Sequence, residues 1–191
     1  MSELKKVIIK LCVCGDKKTG KTSLVRSFMD LPFSDEVVSF DDRFVQQNIL
    51  YNSNNFELSY YDLVEDESSL NASYWNHARV LICVISLDNL DIINNSKNWF
   101  SYGDRYIPRM YLRYVVGTKS DLQERVYSYE ECVTQVTNLN ATYFEVSNKT
   151  GFGIKELKDQ IILDLYNYVY PRGEFDHECV KKKSKKGCQM V

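Results

Sequence analysis

No apolar run in this chain approaches the ~18 consecutive residues that a membrane-spanning helix needs. The opening Met1-Ser2-Glu3-Leu4-Lys5-Lys6 leads straight into strand-like sequence and shows no secretory leader pattern. A reducing, cytosolic setting is therefore expected, and disulfides are not. Six cysteines stand at 12, 14, 83, 132, 179 and 188 without one C-x-x-C pair, so a zinc site has no support. Cys12, Cys14 and Cys83 lie inside apolar runs and read as small core hydrophobes. There is no repeat, no internal linker and no compositional bias. With 44% hydrophobic and 26% charged residues, the 191-residue chain suits one ordinary domain plus a tail. A large net charge is also missing, at −2, but that figure hides an asymmetry. Residues 178–191 hold five lysines (181, 182, 183, 185 and 186) against Glu178, or +4, while the other 177 residues carry 19 basic and 25 acidic groups, or −6. A mildly acidic body argues against general nucleic-acid binding, and a basic tail seeks an anionic surface.

What is present most clearly is Gly15-Asp16-Lys17-Lys18-Thr19-Gly20-Lys21-Thr22, which fits G-x-x-x-x-G-K-[ST], the phosphate-binding P-loop. It follows the strand-like Val7–Cys14 and opens onto a stretch with Leu24, Val25 and Phe28 at helical spacing, the context the motif requires. Backbone N–H groups of such a loop bind phosphate oxygens, helped by the positive end of the following helix. Gly15 to Ser23 are the candidate phosphate-binding residues. Lys21 would reach the β- and γ-phosphates, as a catalytic cation, and the Thr22 hydroxyl would ligate Mg²⁺.

Strand-like runs recur near 7–14, 45–51, 56–61, 80–86, 111–117 and 142–147, with helical stretches near 20–29, 68–77, 90–106, 128–139 and 153–169. In the last, Ile154, Leu157, Ile161, Leu165 and Tyr168 fall along one face. The expectation is an α/β domain over residues 1–172, with a six-stranded, mostly parallel sheet and helices on both faces. Ligands of such sheets bind at the carboxyl ends of the strands, where the P-loop stands. Pro171-Arg172-Gly173 marks the end of this domain, and residues 173–191 read as a disordered polybasic tail.

Two further segments end strands on the same rim: Thr118-Lys119-Ser120-Asp121, and Ser147-Asn148-Lys149. With these the chain resembles a small GTPase of the Ras superfamily, the P-loop G domain, over residues 5 to about 170. The resemblance implies GTP/GDP and Mg²⁺ as ligands. Thr118-Lys119-x-Asp121 stands for the base-recognition motif, with Thr in place of the commoner Asn, a Rho-like trait. The Asp121 carboxylate can accept two hydrogen bonds from guanine, a donor pair adenine lacks, and Lys119 would lie along the base. Ser147, Asn148 and Lys149 occupy the place of the family's Ser-Ala-Lys, which meets the guanine oxygen by backbone N–H. Phe33 matches the aromatic that covers the base. Tyr74-Trp75-Asn76-His77-Ala78, Lys97-Asn98-Trp99 and Asp104-Arg105-Tyr106 are Rab-like, no Rho-type insert follows Asp121, and the tail lacks the double-Cys ending of most Rabs. The branch stays open.

The family pattern breaks where catalysis is expected. Lys17 and Lys18 replace residues that are usually small. A lysine at the first position crowds the γ-phosphate and obstructs an incoming arginine finger; the alternative is that Lys17 itself supplies charge in cis, which needs exact placement. The switch II pattern Asp-x-x-Gly-Gln reads Asp62-Leu63-Val64-Glu65-Asp66. Asp62 is retained for the metal. Glu65 replaces the glycine whose N–H meets the γ-phosphate, and Asp66 stands in the place of the catalytic Gln, bringing negative charge toward an anionic transition state. Switch I offers no Thr across Ser34–Asp42, so Ser39 is the nearest hydroxyl for Mg²⁺.

The ending Cys188-Gln189-Met190-Val191 is a C-a-a-X motif, with Cys188 the expected prenylation site. One lipid holds a membrane weakly, and Lys181–Lys186 supply the second signal, with Cys179 a candidate for palmitate or equally an unmodified thiol. The resemblance thus implies a monomer, lipid-anchored on the cytoplasmic face of a membrane, first of all the plasma membrane. Its effector proteins and exchange factors would read residues 34–77. Three readings follow: a switch that hydrolyses GTP slowly, an adaptor that stays GTP-loaded, and a pseudo-GTPase that binds no nucleotide. Intact Lys21, Thr22 and Asp121 argue against the third; Glu65 and Asp66 favour the second over the first.

Overall fold

The computed structural model describes residues 6–36, 40, 44–63, 72–88 and 92–171. Its elements run β1 (Lys6–Cys14), α1 (Lys21–Phe28), β2 (Phe44–Tyr51), β3 (Asn54–Asp62), α2 (Ala72–Trp75), β4 (Ala78–Ser86), α3 (Ile92–Tyr106), β5 (Leu112–Thr118), α4 (Tyr129–Thr137), β6 (Thr142–Glu145) and α5 (Ile154–Val169). The strands form one six-stranded sheet ordered β2-β3-β1-β4-β5-β6. Only β2 is antiparallel, paired to β3; the β1–β3, β1–β4, β4–β5 and β5–β6 ladders are parallel. The α/β architecture read from the alternation is therefore the one observed.

The reason lies in how each strand is loaded. β4 is apolar along almost its whole length and sits mid-sheet, buried on both sides, as parallel strands are. Its side chains alternate between two cores. Val80, Ile82 and Val84 join Leu11, Val13, Leu24, Phe28, Leu157, Ile161 and Leu165 beneath α1 and α5. Leu81, Cys83 and Ile85 join Cys12, Cys14, Trp75, Trp99, Phe100, Val115, Cys132 and Val136 beneath α2, α3 and α4. Cys12, Cys14 and Cys83 are core thiols as expected, and burial pushes the Cys12 thiol up to about 12, away from reactivity. β2 instead alternates between exposed and half-buried residues at the sheet edge. It turns into β3 through Asn52 and Ser53, both at positive φ (45° and 60°), the geometry that tight hairpins of the right twist require.

Two expectations need correction. Tyr168 does not share the buried face of α5. Ile162 takes that place, while Tyr168 lies on the surface with its hydroxyl donating to the Met110 carbonyl at 3.0 Å. The helix read at 68–77 is seen as Ala72–Trp75, turning out at His77 (φ 65°); residues 68–71 lie outside the described residues. Also outside are Ser39, Glu65, Asp66, Cys179, Lys181–Lys186 and Cys188. No helix among the described residues is long and apolar enough to cross a membrane.

Candidate nucleotide-binding site

β1 ends in the middle of the sheet, and Gly15 turns the chain away from it. A β-carbon there would stand 2.1 Å from the Val84 carbonyl oxygen, so only glycine fits. Gly20, at φ 87°, begins α1, whose N-terminus no side chain caps. A helix start of this kind presents its amides to an anion. Between the glycines, Lys18 holds φ 64°, a left-handed conformation that strains a lysine by about 1 kcal/mol. Lys17 and Lys18 are exposed, whereas Thr19 and Lys21 are buried.

The loop is held from both sides. The Asp16 carbonyl accepts from Lys21 Nζ at 2.6 Å and from Thr19 Oγ1 at 2.9 Å. On one flank, Asn95 Nδ2 and Trp99 Nε1 of α3 donate to the Asp16 carboxylate, the indole at 3.2 Å. On the other, the wholly buried Thr118 at the end of β5 sets its hydroxyl 2.6 Å from the Thr19 carbonyl and 3.0 Å from that of Ile85. Thr118 thus ties the end of β5 to the P-loop.

The Thr22 hydroxyl, on the first turn of α1, donates to Asp62 Oδ2 at 2.5 Å. Asp62 ends β3, and its other oxygen, Oδ1, is buried without a hydrogen-bond partner. Burial raises the Asp62 carboxyl above the ordinary range, partly offset by the Thr22 hydrogen bond and the Lys21 charge. A buried, half-satisfied carboxylate beside a hydroxyl is a donor set for a small hard cation. Mg²⁺ fits it, because that ion takes one or two protein oxygens and completes its shell with water and phosphate. No cluster of three acidic, His or Cys side chains able to hold a metal occurs among the described residues.

Beyond β5, Asp121 Oδ1 accepts from the buried Ser147 hydroxyl at 2.6 Å. The Ser147 N–H donates to the Phe152 carbonyl at 3.0 Å, and Gly151 N–H to the Ser147 carbonyl at 2.9 Å, closing the loop before α5. Asn148 Nδ2 reaches the Gly20 carbonyl at 3.3 Å, and its Oδ1 accepts from Ser27 at 3.4 Å. Lys119, at φ 62°, pairs with Asp88 at 3.0 Å. Phe33 is 39% exposed at the surface. Arg125 makes a two-pronged bond to Glu145 (3.0 and 2.6 Å) and Tyr143 adds its hydroxyl to the same carboxylate at 2.9 Å, bracing the stretches that carry Asp121 and Ser147. Asn95, Trp99's indole bond, Arg125 and Glu145 went unread in the sequence as parts of the site, since their partners lie 79, 83 and 20 residues away.

With this geometry in place, comparison with known proteins settles the class. The sequence model described as the Ras family matches residues 10–167. The chain belongs to the Ras family. It is similar to the Ras-related protein RabH of Dictyostelium discoideum, at 24% identity over 95% of this chain and 96% of that protein. It is also similar to the Ras-related protein Rab-1 of Theileria parva (28%; 81% and 76%) and RABD2b of Arabidopsis thaliana (27%; 78% and 76%). These relatives carry Rab names and do not favour the Rho-like trait that Thr118 suggested. As a Ras-family member the chain is a small GTP-binding protein of the switch class, with GTPase activity in the general sense of that family.

Proposed function

We propose that this Ras-family protein is a lipid-anchored, Rab-like switch on the cytoplasmic face of a membrane, and that it hydrolyses GTP slowly. The observation that carries the nucleotide reading is the single rim on which Lys21, Thr22 and Asp62 stand at one end and Asp121 and Ser147 at the other. In this reading the amides of residues 15–23 bind the phosphates. Lys21 leaves the Asp16 carbonyl for phosphate oxygens, Asp121 selects guanine, the loop at 147–149 meets the guanine oxygen, and Phe33 covers the base. Thr22 and Asp62, with Ser39 as a further candidate, hold Mg²⁺, which when bound neutralises charge on the β- and γ-phosphates. Slow turnover is supported by Lys17, Glu65 and Asp66, which stand where the family has a small residue, a glycine and a glutamine. Prenylated Cys188 with Lys181–Lys186, and Cys179 if acylated, would bind an anionic leaflet; effectors and exchange factors would read residues 34–77.

Denaturing the purified protein and identifying the released nucleotide by chromatography tests this. Bound GDP supports a cycling switch, bound GTP supports the adaptor that stays loaded, and an empty site that takes up no added GTP overturns the nucleotide reading. The double variant Glu65→Gly/Asp66→Gln separates the causes of slow turnover. A rise of at least about tenfold in single-turnover hydrolysis assigns the block to switch II, since proton-transfer and water-orienting groups are worth ~10²–10⁴. An unchanged rate assigns it to Lys17.

A further inference from the structure

Lys18 occupies the left-handed region at φ 64°. Strained residues of this kind persist only where the surroundings over-determine them. The loop's centre is the Asp16 carbonyl, which collects Lys21 Nζ and Thr19 Oγ1. What fixes Asp16 itself is its carboxylate, gripped by Asn95 Nδ2 and Trp99 Nε1. Trp99 is anchored in turn. It is buried, stacks on the fully buried Trp75 of α2 with ring centroids 6.2 Å apart, and lies 6.0 Å from the Tyr102 ring. The indole N–H therefore has little rotational freedom and donates from a fixed point to an ionised acceptor, the stronger class of hydrogen bond.

We infer that Trp99, with Asn95, is a positioning residue for nucleotide binding. It clamps Asp16 so that the strained P-loop is already shaped for phosphate when the ligand arrives. The inference rests on the guanine-nucleotide reading above. It assigns to α3 a role in a site whose ligand-facing groups all come from other elements. The clamp also joins the phosphate loop to Trp75, the last residue of α2, so the two tryptophans of the chain sit on the path between α2 and the loop. Preorganisation of this kind lowers the ordering cost of binding and shows chiefly in the dissociation rate.

The test compares Trp99→Phe with Trp75→Phe in the full-length protein. Trp99→Phe keeps an aromatic ring in the stack but removes the N–H together with the five-membered ring; Trp75→Phe removes the same ring from the same stack, so it controls for the lost packing, and its indole is not among the donors to Asp16. Dissociation of a fluorescent GDP analogue should accelerate about tenfold or more in Trp99→Phe, the scale of one hydrogen bond to a charged group, and by less than about twofold in Trp75→Phe. Equal acceleration in the two variants, or none in Trp99→Phe, overturns the inference. Backbone amide exchange over residues 15–20, measured without nucleotide, gives a readout that needs no ligand. Faster exchange in Trp99→Phe than in Trp75→Phe is expected, and equal exchange contradicts the clamp. If the wild-type protein binds no GDP analogue, the guanine reading fails on that ground alone, and the exchange comparison still decides the clamp.

Discussion

Around Asp121 and Ser147, the end of the rim proposed for the base, the side chains are bonded within the protein, to other side chains and to backbone carbonyls. Asp121 takes the Ser147 hydroxyl, Thr118 reaches the Thr19 carbonyl, and Asn148 spans Gly20 and Ser27. At the phosphate end Asp62 has one oxygen on Thr22 and the other buried with nothing. The first arrangement is preorganised: on the proposed reading, a base that fits would displace little and need no rearrangement of the loops. The second keeps a carboxylate in a poor environment, and a cation with its phosphates would relieve it. Guanine selectivity should therefore be a property of the folded chain alone, whereas tight retention should depend on metal.

The largest break is at the base. Asp121→Ala removes the acceptor for two guanine donors and should lower GDP affinity by about 10²–10⁴-fold, at ~1.5–3 kcal/mol for each bond to a charged group. Affinity for ADP should hardly move. Competition against a fluorescent GDP analogue measures both. Thr22→Ala acts at the other end. It takes away the hydroxyl proposed to ligate the metal, so nucleotide release in Mg²⁺ should accelerate by about 10–100-fold, with guanine preference intact. Loss of that preference in Thr22→Ala would show that the two ends are not separable. The smallest effect lies outside the comparison and calibrates it. Ser128 caps α4 reciprocally with Glu131, the Ser128 hydroxyl accepting from the Glu131 N–H at 3.2 Å while the Glu131 carboxylate accepts from the Ser128 N–H at 2.8 Å. Ser128→Ala should cost about 1 kcal/mol of stability in thermal unfolding and leave nucleotide release unchanged.

The sheet was legible because its signals are local. Apolar runs of strand length alternate with helical periodicity, and Leu24, Val25 and Phe28 are buried as their spacing implied. The P-loop was legible because its glycines answer a backbone requirement, as the 2.1 Å approach at Gly15 shows. What stayed hidden depends on contacts between distant residues. Nothing near Trp99 in the chain says that its indole meets Asp16. Periodicity alone could not decide between Ile162 and Tyr168 for the buried face of α5, because a tyrosine at the last turn can reach a surface carbonyl instead. The Ser128-x-x-Glu131 capping box is a local signal that hydrophobic periodicity does not use, and it marks the start of α4. The hydroxyl at 118 showed only as a departure from Asn, and its structural use, binding the Thr19 carbonyl, emerges from the fold.

The most direct test of the contrast between the two ends is to follow release of a fluorescent GDP analogue from the wild-type protein with Mg²⁺ and again after chelation, with GDP or ADP as the chase. The account predicts release at least about tenfold faster without metal and an unchanged preference for guanine. A release rate indifferent to chelation, or a guanine preference that disappears with the metal, would contradict it.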